Sequence, residues 1–215
     1  MSTTNGAKTL EMEPNQELAE KQQRGVVKIL KVLLADESLL YTRLRNYHWN
    51  VTGVNFFALH AAFEDQFTEV ADMADDVAER IRQYGANAPG TMGEFVQKTR
   101  LREEPGVYPD AQTMVANLVT DHVALSRFLR EDVEKIDGES EDVGAVDLLT
   151  RLLQQHQKMA WMLRMCLQDK LSPAKNKTTS IQWKGTNHGF KLERDCWEMD
   201  TNRRRSKETM GQADG

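Results

Sequence analysis

A chain of 215 residues that is 40% apolar and 28% charged has the composition of a soluble globular protein and the length of one domain with tails. No run approaches the roughly 18 apolar residues of a membrane helix, and residues 1–16 offer no apolar segment for a secretory signal. Two cysteines, Cys166 and Cys196, exclude a disulfide framework and suit a reducing cytoplasm, and a net charge of −5 excludes a uniformly basic nucleic-acid binder.

The charge is unevenly distributed. Residues 1–24 carry −1 and residues 171–215 carry +3, which leaves −7 for the body between them. Four long stretches are almost free of glycine and proline. The first, residues 15–50, repeats Val27, Leu30, Leu34, Tyr41, Leu44 and Tyr47 at helical spacing. It stops at a turn around Gly53. The second, residues 56–84, repeats Leu59, Phe63, Phe67, Val70, Ala74, Val77 and Ile81, and Gly85 is placed to end it. A long connection with Pro89, Gly90, Gly93, Pro105 and Pro109 follows, with a short helix expected over residues 92–98. A crossover of that length lets consecutive bundle helices run parallel. The third long helix is predicted over 111–136, closed by a turn at 137–140. The fourth is predicted over 143–169, with Leu148, Leu152, Met159, Met162 and Met165 on its apolar side and Pro173 beyond its end. The fold class is all-α, with four long helices around one core at 15–170. Residues 1–14 form a flexible N-terminal tail. The C-terminal tail, 171–215, has no periodicity and is expected to be disordered or to dock on a neighbouring surface.

Chemistry concentrates on the second helix. His60 and Glu64 are four residues apart, as are Asp75 and Glu79, so each pair shares a face. The two pairs lie on one stripe about 16 Å apart along the axis, too far for one metal whose ligand bonds are about 2 Å. Two copies of the helix packed antiparallel about a two-fold axis near residues 69–70 would bring the pairs together and create two identical sites. His48, at the end of the first helix, is brought beside His60 by the short turn. Two imidazoles and three carboxylates suit iron, manganese or zinc, and open positions imply reactivity. The plainer alternative is a solvated acidic face, because Asp65, Glu69, Asp72 and Asp76 lie on the same helix. His122 and His156 read as structural, since neither sits in a Glu-x-x-His motif. His188 and Cys196 have no further ligands at metal spacing, and Cys166 reads as a buried small hydrophobe.

The run Asn46-Tyr47-His48-Trp49-Asn50-Val51, the run from Phe56 through His60 to Glu64, the block Asp75-Asp76-Val77-Ala78-Glu79-Arg80-Ile81-Arg82, the block Gly85 to Thr91 and the segment Trp161-Met162-Leu163 together resemble the signature of the Dps family, over about residues 20–170. The resemblance implies a ferritin-like four-helix bundle with a long crossover between its second and third long helices. It implies a hollow shell of twelve subunits built from two-fold dimers, cytoplasmic and associated with the nucleoid where DNA is bound. It implies a ferroxidase centre at each dimer interface, holding two irons between His48, His60 and Glu64 of one chain and Asp75 and Glu79 of the other. Zinc or manganese could substitute, and a purely structural zinc is a separate reading. No catalytic residue apart from the metal ligands is called for. Glu64 departs in type, because many members carry Asp there. Glu141, Asp142 and Asp147 resemble the acids lining the family's iron pores; the alternative is helix N-terminal acid favoured by the macrodipole. Trp49 would capture stray oxidising equivalents, or is a packed aromatic. The function implied is oxidation of ferrous iron by hydrogen peroxide or oxygen and storage of the ferric mineral, which protects against oxidative damage. The second function the resemblance permits is DNA compaction, here through Arg203, Arg204, Arg205 and Lys207 of the basic tail, multiplied over twelve copies.

Overall fold

The computed structural model describes residues 18–167. They form α1 (Glu20–Asn50), α2 (Phe56–Gln83), α3 (Met92–Lys98), α4 (Ala111–Ser140) and α5 (Val143–Leu167), with no strand among the described residues. α1 packs on α2 and α4 on α5 as two antiparallel hairpins. The hairpins join through α1 against α4 and α2 against α5, while α3 lies on α1. This is the ferritin-like bundle expected, with residues 84–110 as its crossover.

Periodicity explains the core. Leu30, Leu33, Leu40 and Leu44 of α1, Phe63, Met73 and Ile81 of α2, Leu118, Leu125 and Leu129 of α4, and Leu149 and Leu152 of α5 are all fully or almost fully buried. Each such side chain contributes about 1.5–3 kcal/mol over an exposed one. α1 is buried continuously from Leu33 to Glu37. It needs more than one apolar stripe because α2, α3 and α4 all pack against it.

Glycine acts at the turns that require it. Gly53 has φ +107° between α1 and α2, and Gly85 has φ +75° directly after α2. Such angles are cheap only without a Cβ. α3 starts with a capping box, in which the Thr91 side chain accepts from the Glu94 amide and the Glu94 carboxylate accepts from the Thr91 amide. Asp110 caps α4 by accepting from the Thr113 amide at 2.9 Å.

One acid fastens the crossover. Asp36, fully buried on α1, accepts from the Arg100 amide at 2.6 Å, from Thr99 Oγ1 at 2.9 Å and from Arg100 Nε at 2.7 Å. Arg100 also reaches Asp132 of α4 at 2.9 Å. Burial pushes the Asp36 carboxyl above its ordinary value, and the Arg100 charge pulls it back.

Three sequence expectations change. The turn expected at 137–140 is helix: α4 continues through Gly138 to Ser140, and the chain reverses at Glu141 in the left-handed region, φ +54°. A single glycine costs a helix only about 1 kcal/mol, so it does not stop one that remains packed; Ile136 beside it is buried. Cys166 is exposed, not buried. Met162 and Met165 are also exposed, at 48% and 44%, whereas Met159 faces the core. The buried stripe of α5 runs Leu148, Leu152, His156, Met159, Leu163, and positions 162, 165 and 166 fall beside it.

Candidate metal centre

The two hairpin histidines lock each other. Nδ1 of His48 lies 2.8 Å from the His60 carbonyl oxygen, and Nδ1 of His60 lies 2.8 Å from the His48 carbonyl oxygen. A carbonyl can only accept, so each Nδ1 carries the proton. In the neutral ring this leaves each Nε2 with a bare lone pair, the form that ligates a metal. The rings are stacked with centroids 3.7 Å apart and planes at 21°. Phe56 stacks on His60 and Phe67 meets His48 edge-on. The His48 carbonyl belongs to the last turn of α1, where helix carbonyls lack intrahelical donors. The clasp therefore also finishes the helix end, and the Gly53 turn makes it reachable.

Glu64, Asp75 and Glu79 are all exposed on α2. With His60 they fall within an arc of about 100° on the helix, at 3.6 residues per turn. None of these carboxylates has an ion pair or hydrogen bond among the described residues, and the same holds for Asp65, Glu69 and Asp72. Asp76 differs: it pairs with Arg151 of α5 at 2.8 Å. His48 and His60 are thus brought together within the subunit, while Asp75 and Glu79 stay separated from them by about three turns of α2. No group of three His, Cys, Asp or Glu side chains suited to a metal forms among the described residues of one chain.

The acids before α5 have different surroundings. Asp142 is buried and caps α5, accepting from the Ala145 amide at 3.0 Å. It also takes Arg80 at 3.0 Å and the Tyr84 hydroxyl, which ties the end of α2 to the start of α5. Burial and the bond to Asp142 push the Tyr84 hydroxyl upward, away from ionisation. Glu141 and Asp147 are exposed. Trp49 is 64% exposed, with the Arg45 guanidinium 4.7 Å from its ring centroid. It is not packed into this subunit's core. Arg203, Arg204, Arg205 and Lys207, with His188 and Cys196, lie outside the described residues.

A polar chain inside the bundle is absent from the sequence reading. His156 Nε2 meets Glu37 Oε1 at 2.9 Å, and His156 Nδ1 meets His122 Nδ1 at 2.9 Å, with all three residues fully buried. When Nε2 of His156 donates to Glu37, its Nδ1 accepts from His122, and His122 Nε2 is left without a donor. That atom is unpartnered in the structure, as is Glu37 Oε2. Glu37 falls in register with Leu30, Leu33, Leu40 and Leu44, which is the signal that could have found it. Burial, and then the His156 charge, push His122 well below the ordinary histidine value. The sign follows. Below about pH 6.5 the unfolded chain takes up a proton that folded His122 refuses, so stability falls as pH falls. The unfolding free energy from guanidinium titrations should drop between pH 7 and pH 5, by up to about 1.4 kcal/mol per pH unit for one group. The slope should be shallower in His122→Gln. An unchanged slope in that variant would remove His122 as its cause.

The comparisons agree with this architecture. Residues 27–171 match the model of the ferritin-like domain. The chain is 41% identical over 147 residues to an uncharacterized low temperature-induced protein of Nostoc sp., covering 68% of this chain and 82% of that one. It is 36% identical to DNA protection during starvation protein 2 of Bacillus anthracis, covering 67% and 97%. The crystal structure of a Dps protein from Vibrio cholerae, described as a member of a broad superfamily of ferritin-like diiron-carboxylate proteins, superposes with a TM-score of 0.64 at 29% identity, covering 68% and 91%.

Proposed function

Because this chain belongs to the Dps family of ferritin-like proteins, we propose that it oxidises ferrous iron at sites shared between two subunits and stores the ferric product inside an oligomeric shell. The observation that carries this reading is the histidine clasp. It fixes both rings with Nδ1 protonated and leaves both Nε2 lone pairs open, with the carboxylate of Glu64 one turn along α2 from His60. A ring nitrogen bonded to a carbonyl orients the imidazole and raises its basicity as a ligand.

Each subunit supplies two half-sites, His48, His60 and Glu64 as one and Asp75 and Glu79 as the other. The separation along α2 requires the second half to come from a partner. The surface near the clasp suits a partner: Trp49, Val54 and Phe57 are exposed at 64%, 101% and 85%. Apolar groups gathered at one end of a bundle mark an interaction site. Iron is the substrate. The nitrogen and oxygen ligands suit ferrous iron, and would also accept zinc or manganese. Two ferrous ions give two electrons to one hydrogen peroxide, which takes up two protons and leaves as two waters, so no hydroxyl radical forms. Oxygen is the other acceptor in the reading. The carboxylates supply negative charge where the iron becomes more positive. Glu141 and Asp147 are candidates for the route by which iron reaches the interior.

Mixing subunits tests the shared site. One variant carries His60→Ala and Glu64→Ala, the other Asp75→Ala and Glu79→Ala. Random co-assembly rebuilds about one site in four from two intact halves under isologous symmetry. Mixed shells should recover up to about a quarter of the activity with peroxide that neither variant shows alone. Verified mixed shells without recovery would end the shared-site reading.

A further inference from the structure

Arginines in the described chain differ in their partners. Arg24, Arg43, Arg80, Arg100 and Arg151 each form an ion pair with a carboxylate of the same chain. Arg127, Arg130 and Arg164 pair with no carboxylate among the described residues; Arg127 lies over the Phe128 ring, with its guanidinium carbon 4.9 Å from the centroid. These three line one groove between α4 and α5, of about 470 Å³, whose other lining residues are Val123, Ser126, Gln157 and Ala160. No carboxylate among the described residues lines it. The spacing explains the convergence: 123, 126, 127 and 130 share a face of α4, and 157, 160 and 164 share a face of α5. Glu131 and Glu134 stand four residues beyond Arg127 and Arg130, at the spacing of a helical ion pair, yet form no bridge to them.

Three positive forks around one groove, on a body that is otherwise net acidic, have no counter-charge among the described residues. Guanidinium groups pair bidentately with phosphate oxygens, which a point charge cannot do. Ser126 uses its only hydroxyl proton on the His122 carbonyl, so it is not a donor to an anion; Gln157 has an amide to offer. The volume exceeds that of a single small oxyanion. We propose that this groove binds ligands carrying two or more linked phosphoryl groups. The source is either free, as in a nucleotide or polyphosphate, or the backbone of a nucleic acid. The proposal does not depend on the ferroxidase reading, because none of its residues belongs to the metal site.

Calorimetric titration of the full-length assembled protein with inorganic pyrophosphate, at low salt, tests it. Arg127→Gln/Arg130→Gln/Arg164→Gln should bind at least ten-fold more weakly. Lys21→Gln/Lys28→Gln/Lys135→Gln, with the same net charge, should stay within two-fold, and ferrous oxidation should be unchanged in the arginine variant. If the glutamine variant fails to assemble, Arg127→Lys/Arg130→Lys/Arg164→Lys decides: it keeps the charge, loses the forks and should bind several-fold more weakly. No pyrophosphate binding by the unmutated protein, equal losses in the lysine control, or full affinity in the Arg→Lys variant would overturn the site. Gel retardation of a DNA duplex distinguishes the sources. Retardation lost with the arginines assigns backbone phosphate, and retardation unaffected by them assigns free phosphate compounds.

Discussion

Replacing His60 and Glu64 together by alanine should abolish rapid ferrous oxidation and leave the helical content intact. In the proposed centre the two side chains supply a nitrogen and an oxygen ligand one turn apart. His60 also holds the clasp from one side, so its loss removes the bond that His60 Nδ1 makes to the His48 carbonyl. Oxidation should fall by two orders of magnitude or more, to the rate of iron in buffer, because the proposed centre loses two of its five ligands and keeps only His48 on this side. The fold should survive. His60 is only partly buried and Glu64 is exposed, and the apolar stripe of α2 passes through Leu59, Phe63 and Val70 instead. Stopped-flow traces with peroxide, read beside far-ultraviolet circular dichroism, measure both. Traces that overlay those of the unmutated protein would place the chemistry elsewhere.

Asp36→Ala should have the largest effect on stability of any single substitution considered. The carboxylate accepts from a backbone amide, a hydroxyl and a guanidinium, all within one crossover segment. Burial pushes the Asp36 carboxyl upward while Arg100 and Thr99 pull it down, and an apolar replacement of a whole buried pair is often neutral. Alanine is a different case, because it leaves the Arg100 amide, the Thr99 hydroxyl and Arg100 Nε without their acceptor, and leaves Asp132 as the one carboxylate among the described residues paired with the Arg100 guanidinium. Breaking a buried pair from one side costs about 3–5 kcal/mol, a large share of a domain's roughly 5–15 kcal/mol. The guanidinium midpoint should fall accordingly at fixed subunit concentration, since assembly adds to apparent stability. Asp36→Asn should lose less, because its amide oxygen can still accept from the Arg100 amide. A loss below about 1 kcal/mol for alanine would show that water or Asp132 replaces Asp36 at no cost.

The long helices were legible because apolar residues recur at helical spacing over many turns, and the turns at Gly53 and Gly85 because positive φ favours glycine. Gly138 misled for the same reason: a glycine marks a helix end only when the packing beyond it stops, and packing is not written locally. The proximity of His48 and His60 was legible from a short turn between antiparallel helices, but their reciprocal bonds were not, since they depend on the angle at which the turn returns the chain. Asp36 and Glu37 are adjacent acids in an apolar stretch, and both are fully buried. Helical spacing could have placed Glu37 inward. Nothing in the sequence says that Asp36 would face a crossover more than sixty residues away. The outward turn of Met162, Met165 and Cys166 is not legible from residue type, because these positions fall beside the stripe Leu152, His156, Met159, Leu163 that faces the core.

The pairing of α1 with α2 and of α4 with α5 has a consequence for how the chain reaches this fold. Most helix–helix contacts lie within hairpins of neighbouring sequence, so little chain entropy is spent on forming them, and topologies of this kind fold quickly. The costly event is a single loop closure, the one that brings α1 and α4 together across residues 84–110. Asp36 binds the middle of that loop to α1, and Arg100 extends the grip to Asp132 of α4. The closure is thereby divided into two shorter ones, each with a smaller entropic barrier. The buried acid that holds the crossover in the finished bundle thus sits at the point where its two halves are joined.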